Sequence, residues 1–221
     1  MGVSVFTVFM DNVNPEVAKW QKRVVSRFLP RGWKFFQYRT SLSHPESLHA
    51  CVERNEDEIT VFLDVDCIPL SYQSFNYLLD NRWSVKHGAL IGAVQRANHI
   101  NNKGHLYVGP FCMAFRNDTF RDLGSPTFYE TCRGDTGEEL TYCWQEANKP
   151  VYFLWPSDVQ EPQWSLVDGV CEFGFGTTYE DLFYHTFCIR NSPRMKLQFI
   201  AKCTEVLALQ DAATQEKICV L

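Results

Sequence analysis

The chain has 221 residues, of which 45% are hydrophobic, and a formal net charge of -5. That apolar share supports a sizeable core and excludes a disordered segment, while the acidic balance, with no Lys/Arg run, excludes a general nucleic-acid binder. Nine cysteines, an odd number with no C-x-x-C pair, fit reduced thiols in a cytosol-like compartment better than a disulfide framework or a zinc site.

Val3 to Phe9 reads as a buried strand. It is short, lacks a basic start and runs into Asp11, which is unlike a signal peptide. A helix is expected next, with Asn14 as cap, Pro15 at the first helical position and Glu16 complementing the dipole. Its apolar stripe is Val17, Trp20, Val24 and Phe28. Trp33 to Tyr38 is a second strand, and Ser43-His44-Pro45-Glu46 is a capping box for a helix through about Val52. The run Ile59–Leu63 then reads as a strand buried on both faces, ending in Asp64-Val65-Asp66. Helices alternating with strands in this order imply right-handed crossovers onto a parallel sheet.

The remaining elements are less regular. Ser71 opens a short helix with Phe75, Leu78 and Leu79 inward, and Ala89 to Val94 is a strand. After a polar loop, Leu106 to Phe115 is a strand bent at Gly109-Pro110. Asp118 caps a helix through Leu123, and Thr136-Gly137-Glu138-Glu139 matches a second capping box, with Leu140, Cys143 and Trp144 buried behind it. Val151 to Trp155 is a strand, Gln160 to Thr178 a long loop, and Arg194 to Ala213 an amphipathic helix. Asn117-Asp118-Thr119 matches a glycosylation sequon. No stretch is long enough to span a membrane, and Cys219 stands one position too late for prenylation.

Asp64 and Asp66 carry the chemistry. Side chains at i and i+2 of a strand point the same way, so both carboxylates project where the strand leaves the core. Ligands of open α/β sheets bind outside those carboxyl ends. Two carboxylates there repel unless a positive group lies between them, and a hard divalent cation is the usual one. Such an ion neutralises a diphosphate.

With these elements the chain resembles a nucleotide-sugar glycosyltransferase of the GT-A fold. The likeness rests on the first strand, the strand ending in Asp64-Val65-Asp66, Asp135-Thr136-Gly137-Glu138-Glu139, and Gly176-Thr177-Thr178-Tyr179-Glu180-Asp181 running into Tyr184-His185. It implies one α/β, Rossmann-like GT-A domain over 1–221, with a mainly parallel twisted sheet flanked by helices. Residues 1–95 would form the nucleotide-sugar half, 96–192 the acceptor and catalytic half, and 193–221 a C-terminal helix.

The likeness is to small soluble viral, phage and bacterial enzymes, which implies cytoplasmic action, within a host cell for a viral protein. Further implied are Mn2+ or Mg2+, a nucleoside diphosphate sugar (a UDP-sugar first), and a glycan or protein hydroxyl as acceptor, with no nucleic acid. Asp66 would bind the metal directly, and Asp64 through water or the donor's hydroxyls. His185 would complete the metal shell, its imidazole favouring manganese, or else sit hydrogen-bonded in its aromatic cluster.

Asp135 and Glu138 are favoured as the acids acting at the sugar, with Glu139 closing the capping box. Thr7, Val8 and Asp11 would seat base and ribose, and Arg39 would reach a phosphate or the base; Asp11 reads equally as plain loop solvation, and a lone Arg such as Arg39 is more often a surface charge. Trp155 offers a ring to stack on a sugar, and Gly174-Phe175-Gly176 a lid. Haloacid-dehalogenase-like phosphatases also use D-x-D after a hydrophobic strand, but near the amino terminus, whereas two strands precede it here. A catalytically silent nucleotide- or carbohydrate-binding module is the third reading.

Overall fold

A computed structural model describes residues 1–80 and 85–218. Cys219 and the end of the expected 193–221 segment lie outside the described residues. Among the described residues ten strands and six α-helices follow in the order β1 (Val3–Met10), α1 (Pro15–Phe28), β2 (Lys34–Thr40), α2 (His44–Arg54), β3 (Ile59–Leu63), β4 (Cys67–Pro69), α3 (Tyr72–Asp80), β5 (Leu90–Arg96), β6 (Leu106–Arg116), α4 (Asn117–Asp122), α5 (Glu138–Glu146), β7 (Val151–Leu154), β8 (Pro156–Val167), β9 (Cys171–Tyr179), β10 (Phe183–His185) and α6 (Pro193–Ile218).

The main sheet has the order β2-β1-β3-β6-β5-β7. β1 is parallel to β2 and β3, and β5 is parallel to β7. β6 runs against both its neighbours, so the sheet is mainly parallel with one reversed strand. Period-2 alternation divides the core between the two faces. Val3, Val5, Ile59, Val61 and Leu63 pack with α1, α3 and α6, while Phe6, Val8 and Phe62 pack with α2, α4 and α5. On α1 the Asn14 side chain accepts from Glu16 N at 3.0 Å, and on α2 Glu46 accepts from Ser43 N at 2.8 Å, so both expected caps form. The bend in β6 falls where its register with β5 shifts between Gly92 and Val94.

A second sheet has the order β4-β10-β9-β8, antiparallel throughout. It corrects the loop expected over Gln160 to Thr178, which is instead most of a β8–β9 hairpin turning at 168–170. Pro156, Pro162, Gly174 and Gly176 read as breakers in sequence, but three register shifts absorb irregular residues along the hairpin. Gly174 is needed there, because a β-carbon on it would collide with the Glu161 carbonyl across the ladder. It belongs to a strand and not to a lid. The sequon asparagine is no acceptor either: Asn117 is buried, taking a bond from Thr60 Oγ1 and giving one to Asp57 O, each at 2.7 Å.

Candidate metal and donor site

The two sheets meet at the turn Asp64-Val65-Asp66, between the end of β3 and the start of β4. Cys67 N donates to Asp64 O at 2.9 Å and closes the turn. From behind, the buried amide of Gln21 on α1 reaches Asp64 O at 2.6 Å, Cys67 O at 3.1 Å and Thr7 Oγ1 at 3.0 Å. Backbone groups that leave a buried strand need partners, and this one side chain supplies several. Thr186 N donates to Asp66 O at 3.1 Å, tying the end of β10 to the same turn.

β10 brings His185 opposite Cys67. Its ring lies flat on Phe111, with centroids 4.2 Å apart and planes 11° from parallel, and touches Phe187 at 3.8 Å. Nε2 stands 3.1 Å from Asp66 Oδ1, and both side chains are buried. Nδ1 is buried with no partner among the described residues, so aromatic packing and the single Asp66 contact set the ring. Asp64, Asp66 and His185 each offer one ligating atom, and these atoms all lie within 4.8 Å of one another. Two carboxylate oxygens and an imidazole nitrogen suit a divalent ion such as Mn2+, leaving positions open for ligand oxygens.

His44, the first residue of α2, places Nε2 3.2 Å from Asp64 Oδ1. Burial alone would raise the Asp64 pKa, but the His44 charge and hydrogen bond, then the charges of His185 and Arg190, outweigh it and hold the carboxyl below its usual range.

These groups line a cleft of about 440 Å³ that also takes in Val8, Tyr107, Asp135 and the exposed Arg190. Tyr107 OH donates to Asp135 Oδ2 at 3.1 Å, and Thr136 N to Asp135 Oδ1 at 2.7 Å. Glu138 is not on the cleft wall. It is wholly buried, and accepts from Asp135 N at 2.9 Å and Asn102 Nδ2 at 2.8 Å, with His105 Nδ1 at 2.7 Å.

The capping interaction expected of Glu139 on Thr136 therefore falls to Glu138 on Asp135. Gly137 adopts a left-handed φ of 78°, so the helix begins one residue later than the motif suggests. Glu139 instead pairs with Arg133 at 2.5 Å.

Thr7 faces away from the cleft, its hydroxyl donating to Leu63 O at 2.7 Å. Asp11 and Arg39 bond each other at 2.6 Å. Arg39 borders a separate cleft of about 380 Å³ floored by Phe6, Phe36 and Tyr38. Val8 borders both clefts, and Trp155 neither. Of the sequence-predicted residues, the structure thus unites Asp64, Asp66, His185, Val8 and Asp135, and sets Glu138, Thr7, Asp11 and Arg39 apart.

Sequence reasoning missed His44, Arg190, Tyr107 and Gln21. Only Gln21 carried a signal, as a polar residue inside the α1 stripe between Val17 and Val24. His99, Glu130 and Asp135 also bring ligating atoms within 4.8 Å, but His99 and Glu130 are exposed, and exposed acidic groups gather this way without an ion.

No protein-family model matches the sequence, and no curated protein matches it. Among solved structures, the chain is similar to a mutant Drosophila β1,4-galactosyltransferase 7 in complex with manganese, UDP-Gal and xylobiose: TM-score 0.51 and 17% identity, over 83% of this chain and 70% of that one. A mannosyltransferase from Pyrobaculum calidifontis, in complex with GDP-Man and Mn2+, matches at TM-score 0.49 and 10% identity, over 68% of this chain and 54% of that one, and adds no weight. The likeness establishes the fold: a single α/β domain with a central twisted sheet flanked by helices, as in GT-A glycosyltransferases. No helix among the described residues is long and apolar enough to cross a membrane.

Proposed function

We propose that this protein transfers a sugar from a nucleoside diphosphate sugar to an acceptor hydroxyl, with a divalent ion held by Asp64, Asp66 and His185. One observation carries the reading: three ligating atoms within 4.8 Å of one another, at the carboxyl end of β3 in a GT-A-like fold. An ion bound there would screen the diphosphate and stabilise charge on the leaving group. Arg190, on the same cleft, offers a guanidinium to phosphate oxygens. Asp135 supplies a carboxylate to take the proton of the acceptor hydroxyl, oriented by Tyr107 and Thr136. Manganese and UDP-Gal in the Drosophila enzyme make Mn2+ with a UDP-sugar the first pair to try.

Thermal shift across a panel of nucleotide sugars, with and without Mn2+, tests the proposal. A matching donor should raise Tm only when Mn2+ is present, since a ligand bound to the native state alone stabilises it by mass action. Asp66→Asn should fold and lose the shift. An equal shift in excess chelator would overturn the metal-dependent reading.

A further inference from the structure

His44 has no evident duty in its own helix. The start of α2 is already secured by Ser43 and Glu46, and Pro45 fixes the backbone beside it. A cationic imidazole is also disfavoured at a helix amino terminus, where the dipole is positive. The fold nonetheless brings this ring 3.2 Å from Asp64 Oδ1, and His44 is the only residue of α2 on the cleft wall. Asp64 is otherwise anchored by its main chain alone, with N donating to Phe111 O and O accepting from Cys67 N and Gln21. Among the described residues the side-chain contact recorded for the Asp64 carboxylate is the His44 ion pair.

We infer that His44 is a positioning residue for the metal site: its Nε2–H holds the Asp64 carboxylate in the orientation that keeps it facing Asp66 and His185. The role is orienting a ligand from outside the shell, the kind of contact whose loss costs about 10- to 100-fold in metal affinity. The inference rests on the metal site proposed above, and its test separates the two.

Mn2+ alone, without nucleotide, is titrated into the full chain and followed by the paramagnetic resonance signal of the free ion. His44→Ala should weaken Mn2+ binding by about 10- to 100-fold. His44→Gln, whose amide keeps a donor near the Nε2 position, should recover most of it, and the Tm of metal-free protein should stay level across the set. Wild-type affinity in His44→Ala, or no recovery in His44→Gln, overturns the role. Should His44→Ala not fold, His44→Met has similar reach and no donor; Mn2+ binding equal to that of His44→Gln would overturn it too. Asp66→Asn is the reference. If it binds Mn2+ as wild type does, the metal site itself falls and His44 with it. If it loses Mn2+ while His44→Ala keeps it, only the positioning role falls.

Discussion

The side-chain amide of Gln21, midway along α1, donates to the main-chain carbonyl of Asp64 at 2.6 Å. A helix on the back of the sheet thereby braces the turn that presents the acids on the front. Gln21 is fully buried, and its Oε1 accepts from Gln37 Nε2 at 2.9 Å, so all its polar atoms are in use.

Replacing Gln21 with Leu keeps the volume, takes its bond from Cys67 O and leaves Asp64 O with Cys67 N alone. The expected loss is about 1–3 kcal/mol of unfolding free energy, the cost of leaving buried polar groups unpaired. Urea denaturation measures it. A change under about 0.5 kcal/mol, the range of ordinary surface substitutions, would show that the brace carries no weight.

Three neighbouring acids should separate by role. Asp135→Asn keeps an oxygen to accept from Thr136 N and should leave stability nearly unchanged while lowering turnover about 100-fold, a typical general-base contribution. Glu138→Gln should cost stability and leave turnover of the folded protein close to wild type, because the side chain is sealed behind the cleft. Glu139→Gln loosens only the pair with Arg133. Steady-state turnover at saturating donor ranks the three, and a rank order with Glu139→Gln the most damaged would move the base away from Asp135.

His105 gives the fold a pH dependence. Burial lowers its pKa, but the hydrogen bonds with Glu138 and Gln145 and the Glu138 charge outweigh that and raise it. A pKa raised by folding means stability fully present below the unfolded value, about 6.5, and lost as pH rises through the folded value. Tm should therefore fall across that interval, and His105→Gln should flatten this part of the profile. An NMR titration placing the His105 midpoint at or below the unfolded value would contradict it.

The β1-α1-β2-α2-β3 run was legible because each element carries its period and its caps in adjacent residues. Asp64 and Asp66 were legible for the same reason, as the strand before them shows where they must emerge. Glu138 was misread because the left-handed Gly137 shifts the helix start by one residue, and glycine alone does not declare its φ. The β8–β9 hairpin was hidden because prolines and glycines that usually end strands sit at its bulges. His44 sat unremarked between the Ser43 and Glu46 of a capping box, and its contact with Asp64 exists only in the tertiary fold.

The proposed ligand cluster also depends on a long-range contact. Asp66 and His185 are 119 positions apart, and β4, three residues long, belongs to a different sheet from β3 although only three residues separate them. His185 cannot reach Asp66 until β10 has docked on β4, and closing so long a loop is slow compared with the local β1-α1-β2 contacts. An ion at the proposed site would therefore be held only after the seam between the sheets has closed, so its capture would report on that docking step.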